Sequence, residues 1–189
     1  MLEIVEQLHS GVDNLYQMID DLSQVLMDYR HLNQPETILN LQDVLDKVMD
    51  ELKLVIASKK AKITSDFSKL PEIRYNEVYL KSILHNLVSN AMKYNKAGEP
   101  PKIHISSEVS EGKRILIVED QGVGIDLTES GEHIFKMYSQ LGSNPEESSR
   151  GMGLFIIKNQ VEMSGGSIHV ESEPGKGARF VVMLYRRVH

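Results

Sequence analysis

The apolar positions of this chain change period several times, and each change predicts an element. From the N-terminus they fall at Val5, Leu8, Val12, Leu15, Ile19, Leu22, Leu26 and Tyr29, in alternating steps of three and four. That spacing keeps one seam on a single helical face. Ile4, Met18 and Val25 widen the seam into the stripe of a helix in a bundle. Gly11 weakens such a helix by roughly 1 kcal/mol relative to alanine, and Pro35, after His31 to Gln34, marks its end. Packing on the domain that follows and pairing with other helices both fit the pattern. The length of the unbroken heptad favours an oligomerising helix.

Residues 33–38 read as a linker. A second helix is predicted from Asn40 or Leu41, with Leu41, Val44, Leu45, Val48, Leu52, Val55 and Ile56 on one face. Lys59, Lys60 and Lys62 close it, as suits the negative end of a helix dipole. Lys62 to Phe67 alternates like a strand, and a short extended piece follows near Ile73 and Arg74. A third helix, Asn76 to Tyr94, buries Leu80, Ile83, Leu84, Leu87, Val88 and Ala91. Two strands, Lys102 to Val109 and Arg114 to Glu119, meet through a turn at Ser110 to Lys113. After a short apolar element at Ile134 to Tyr138, the stretch Ser139 to Arg150 has little to bury and reads as a mobile segment. Gly151 to Leu154 opens a helix that runs to Met163 and stops at Gly165 and Gly166. A hairpin ends the pattern, with strands Ser167 to Ser172 and Arg179 to Tyr185 about the turn Glu173 to Gly177.

Composition narrows the classes. A length of 189 residues with 41% hydrophobic content is enough for one domain and an appendage. A net charge of -6 leaves no Lys/Arg stripe to displace counterions from a nucleic acid. The absence of cysteine excludes disulfides and thiolate metal sites and fits a reducing compartment. No run approaches the ~20 apolar residues of a membrane span, so any membrane link is expected to come only from a region upstream of Met1.

Three stretches carry candidate chemistry. Asp120 ends a β-branched strand and is followed by Gly122 and Gly124, which permit close backbone approach to a ligand; ordinary turn chemistry fits the same pattern. Asn86, Asn90, Lys93 and Tyr94 share one flank of the third helix. Asparagine is a poor helix former, so two of them one turn apart serve either a solvated flank or a task such as amide ligation of Mg²⁺. Gly151 and Gly153 precede a helix whose free N–H groups suit phosphate oxygens.

Taken in order, Leu84 to Ala91, Asp120 to Ile125, Ile134 to Tyr138 and Gly151 to Leu154 resemble the N, G1, F and G2 boxes of sensor histidine kinases, and Gly165 to Gly177 is similar to that family's last segment. The resemblance implies an α+β fold, a two-layer α/β sandwich with a mixed sheet and helices on one face, spanning residues 35–189. Residues 1–34 would be the second helix of the dimerisation and phosphoacceptor hairpin. It further implies ATP and Mg²⁺ as cofactors, cytoplasmic location, a homodimer through the first helix, and a response regulator receiver domain as partner. Asp120 would accept from the adenine amino group, and Tyr94 and Ile125 would pack on the base. Asn90 would hold Mg²⁺ with Asn86 beside it, and Lys93 would meet phosphate. Gly151, Gly153 and Leu154 would cradle phosphates, with Arg150 as the lid's cation and Phe135 in the phenylalanine box. The related ATPases carry a glutamate at the Asn86 position to activate water, and an amide cannot act as that base.

The chain departs from the pattern at three places. Neither His9 nor His31 sits in a phosphoacceptor sequence, so the acceptor helix is expected upstream of Met1, and this chain is expected to bind ATP without phosphorylating itself. Phe155 stands where many members have a third glycine, and Ala178 where many have Ser or Thr.

Overall fold

The computed structural model describes residues 35–136 and 152–185. The predicted N-terminal helix, the stretch Ser139 to Arg150, and Gly151 lie outside these residues.

Strand β1 (Thr37–Asn40) leads into helix α1 (Leu41–Glu51), whose N-terminus is capped by Asn40. The Asn40 amide oxygen accepts from the Gln42 and Asp43 N–H groups at 2.9 and 3.2 Å, which satisfies donors that have no partner inside the helix. Leu41, Val44, Leu45 and Val48 are buried, as their period requires. The sequence predicts one helix to Ile56, but the chain breaks at Leu52 and resumes as α2 (Lys53–Lys59). Helix α2 buries none of its residues, and Leu54 is 85% exposed. Of the stretch 33–38, read as a linker, Thr37 and Ile38 instead belong to β1, which pairs antiparallel with β3 (Glu72–Tyr75).

Strand β2 (Lys62–Asp66) pairs parallel with β4 (Lys102–Ser110), and a parallel pair needs a long crossover. That crossover contains β3 and helix α3 (Glu77–Lys93), capped by the Asn76 side chain. The remaining strands are β5 (Lys113–Asp120), β6 (Ser167–Glu173) and β7 (Gly177–Leu184). Their order is β2-β4-β5-β7-β6, antiparallel everywhere except β2-β4. Between β5 and the last hairpin lie α4 (Leu127–Ser130), a 3-10 turn (Gly131–Phe135) and α5 (Met152–Met163).

Helix α1 packs on α3 and α3 on α5. These helices cover the sheet face that carries Ile103, Ile105, Leu116, Val118, Phe180 and Val182, all buried. The opposite face carries a polar row across all five strands: Thr64, His104, Glu119, Arg179 and Glu171 in register. Arg179 pairs there with Glu119 at 3.2 Å and Glu171 at 2.8 Å. No helix among the described residues is long and apolar enough to cross a membrane.

Candidate functional site

Period-two alternation places Leu116 and Val118 in the core and puts Asp120 on the same helix-covered face at the end of β5. Its Oδ1 accepts the N–H of Gly122 at 2.8 Å and of Ala178 at 3.3 Å. Burial pushes the Asp120 pKa up from the ordinary aspartate value, and the two backbone donors pull it back only in part. The sign has two consequences. A folded pKa above the unfolded one means that the native state binds the proton more tightly. This group's contribution to stability therefore falls as pH rises through the window between the two values and is flat above it. A ligand that donates to the ionised carboxylate responds in the opposite sense. Its affinity is expected to fall on acidification at a higher pH than an ordinary aspartate would give, as a titration at several pH values would read directly.

The loop after Asp120 is tied down on three sides. Val123 donates to the Tyr94 carbonyl at 3.0 Å, Gly175 donates to the Val123 carbonyl at 2.7 Å, and Ile125 donates to Ser172 Oγ at 2.8 Å. The two glycines serve these contacts. A Cβ on Gly122 would overlap the Tyr94 carbonyl, and one on Gly124, at φ 72°, would overlap the Glu173 carbonyl. The close approach seen here is thus of backbone to backbone.

On α3, Asn86 Nδ2 donates to the Ser82 carbonyl at 2.9 Å, and its Oδ1 faces the first turn of α5. A Cβ on Gly153 would lie 2.7 Å from that oxygen, so α5 meets α3 here because residue 153 has no side chain. Asn90, one turn further on, is half-buried. Lys93 Nζ lies 5.2 Å from the centre of the Tyr94 ring. Tyr94 ends α3, donating to the Asn90 carbonyl at 2.9 Å, and Ile125 packs partly buried against the core. The structure therefore gathers Asp120, Gly122, Gly124, Ile125 and Tyr94 at one end of α3, and Asn86 with Gly153 along it.

Other residues stand differently. Phe135 is 6% exposed, with Lys158 Nζ 5.7 Å from its ring centre. Leu154 is 4% exposed and its side chain belongs to the core, which leaves its backbone to meet any ligand. Phe155 lies two positions from Gly153, on the opposite side of α5, and shares a face with Lys158 and Glu162. It is therefore turned away from Asn86. Ala178 offers no hydroxyl, but its N–H supplies the bond to Asp120. Arg150 and Gly151 fall outside the described residues.

Sequence reasoning missed Ser172 and Gly177. Ser172 Oγ donates to the Gly177 carbonyl at 2.6 Å, and Gly177, at φ 85°, packs its Cα against the Asp120 backbone. The pair Gly175 and Gly177 after Pro174 was legible as a turn; its service to Asp120, far away in sequence, had no local sign.

Comparison with known proteins agrees with this architecture. The family described as histidine kinase-, DNA gyrase B-, and HSP90-like ATPase matches residues 75–187. Cyanobacterial phytochrome A of Nostoc sp. is 37% identical over 124 residues, which are 66% of this chain and 16% of that protein. The alginate biosynthesis sensor protein KinB of Pseudomonas aeruginosa is 34% identical over 117 residues, 61% of this chain and 19% of that protein. The chain thus spans less than a fifth of the length of these two relatives. Among solved structures, the Acinetobacter baumannii histidine kinase AdeS shares the fold at a TM-score of 0.72 and 21% identity, over 97% of this chain and 84% of that one. The chain belongs to the histidine kinase-, DNA gyrase B- and HSP90-like ATPase family, and within it is an ATP-binding catalytic domain of the histidine kinase type.

Proposed function

We propose that this domain holds Mg-ATP in the cytoplasm so that its γ-phosphoryl group passes to a histidine on a dimerisation helix, and from there to an aspartate of a response regulator receiver domain. The observation that carries the reading is the Asp120 carboxylate. Two backbone N–H groups end on its Oδ1, which orients the group so that Oδ2 can accept from an exocyclic amino group. Adenine has such a donor, and guanine places a carbonyl there instead. Tyr94 and Ile125 flank this end of α3 and would pack on the base.

The α3 flank suits the phosphates. No cluster of three His, Asp or Glu side chains able to hold a metal occurs among the described residues. Neutral amides are nonetheless fitting donors for Mg²⁺ that arrives with its own phosphate oxygens, because they add no anionic repulsion. Asn90 would ligate through its amide oxygen, with Asn86 beside it, while Lys93 meets phosphate. The bound ion would supply charge neutralisation. The protein's own part is orientation of the nucleotide and exclusion of competing acceptors. Asn86 cannot take a proton from water, so transfer to water is disfavoured. The favoured acceptor is a neutral imidazole nitrogen, which forms the N–P bond as the bond to the ADP oxygen breaks.

Joining the domain to a helical hairpin that bears an acceptor histidine tests the reading. Acid-labile phosphate on that histidine is expected, together with phosphate release by the isolated domain close to background. Steady release by the isolated domain would point to a self-contained ATPase. Good ATP binding without any transfer would make the domain a nucleotide-gated interaction module.

A further inference from the structure

The Asp120 carboxylate takes its two backbone donors from segments that are far apart in sequence, Gly122 in the loop after β5 and Ala178 at the start of β7. One side chain joins those segments. Ser172, near the end of β6, accepts the Ile125 N–H at 2.8 Å and donates to the Gly177 carbonyl at 2.6 Å. The Gly177 carbonyl belongs to the same peptide unit as the Ala178 N–H, so holding the first fixes the direction of the second. On the other side, Ile125 closes the loop that begins with Gly122. The hydroxyl is suited to this because it is donor and acceptor at once, and it uses both capacities here.

We infer that Ser172 is a positioning residue for nucleotide selection: its hydroxyl holds the Gly122–Ile125 loop and the Gly177–Ala178 peptide together, and thereby aims the Asp120 carboxylate at the base. The inference rests on the reading of Asp120 as the adenine contact. Without the hydroxyl, the Ile125 N–H and the Gly177 carbonyl lose their shared partner, and the two segments are free to part. The carboxylate then keeps its charge but loses its fixed direction. Selectivity suffers more than general affinity, because the contacts to ribose and phosphates do not pass through Ser172. A serine that only stabilises the turn would behave otherwise, and its loss would lower the melting temperature while leaving the preference between bases unchanged.

Calorimetric titrations with ATP and with inosine triphosphate, which presents a carbonyl in place of the 6-amino group, separate the two roles. Wild-type protein is expected to prefer ATP by at least roughly 30-fold. In Ser172→Ala that ratio should fall about tenfold, through weaker ATP binding, with inosine triphosphate changed less than about threefold. Ser172→Thr, which keeps the hydroxyl, should restore the ratio. Ser172→Cys, close in volume and a weak hydrogen bonder, should fall between, and provides the measurement if the alanine variant does not fold. An unchanged ratio in both the Ala and Cys variants would overturn the inference and leave Ser172 a turn residue. A wild type that binds both nucleotides equally would take down the adenine role of Asp120, and this inference with it. Binding of neither nucleotide would remove the proposed function itself.

Discussion

Replacing Asp120 with asparagine is expected to weaken Mg-ATP binding roughly 30- to 150-fold while leaving the fold at least as stable. The two effects have opposite signs for one reason. Asparagine fills the same volume, and its Oδ1 can still accept the N–H groups of Gly122 and Ala178. Those donors fix the orientation of the amide, so Nδ2 occupies the place of the second carboxylate oxygen and turns a donor toward the adenine amino group, itself a donor. The lost hydrogen bond to a charged group is worth about 2–3 kcal/mol. Stability is spared because the substitution also removes a carboxylate whose ionisation is opposed by burial. A calorimetric titration beside a thermal melt reads both. ATP affinity within about threefold of wild type would remove Asp120 from the adenine contact, and a large fall in melting temperature would show that the carboxylate is a structural group.

A second large effect is expected at Gly177. Its φ of 85° strains any residue with a side chain, and a Cβ there would overlap the Asp120 carbonyl oxygen and lie 2.8 Å from its carbonyl carbon and 2.9 Å from the Gln121 Cα. These are backbone atoms of β5 and the loop after it, and they have no rotamer by which to yield. Gly177→Ala is expected to cost about 2–4 kcal/mol, a fall of roughly 5–15 °C in melting temperature for a domain of this size, and to abolish nucleotide binding by pushing the hairpin away from Asp120. Gly175 provides the comparison. It has a similar φ of 80°, but a Cβ there meets nothing within 4 Å, so Gly175→Ala carries the conformational strain alone, about 1–2 kcal/mol. Equal melting temperatures for the two variants would show that the close approach at Gly177 contributes nothing.

These residues also mark how far sequence reasoning reached. Asp120 stood out as a candidate because two glycines follow it at a strand end, and the asparagines of α3 because local preference in a helix selects other residues. The terminal hairpin was legible because alternation on both sides of Pro174 and Gly175 admits little else. Strand β1 was missed because it is four residues long and exposes three of them, which leaves no alternation to read. The break at Leu52 was missed because neither glycine nor proline marks it, and the apolar stripe continues past it into Val55 and Ile56. On either side of that break the core takes Leu52 fully, while α2 reaches it only through the partly buried Ile56. Ser172 and Gly177 were illegible as site residues because their partners, Ile125 and Asp120, are remote in sequence. No local pattern records such a relation. Phe155, which reads as a break in the glycine box, is accommodated because its side of α5 faces away from α3.

The order of the sheet has a consequence for the making of the protein. Strand β5 lies between β4, which precedes it in the chain, and β7, which is the last strand of the sheet. As the polypeptide leaves the ribosome, α1, α3 and Asp120 emerge first, and β5 can pair on one edge only. The second edge, the Ala178 donor and the glycine that seats against the Asp120 backbone all arrive with the final hairpin. With Asp120 as the proposed adenine contact, a nascent chain is expected to bind ATP only once that hairpin has closed, which arrest of synthesis before Ser167 followed by nucleotide titration would check.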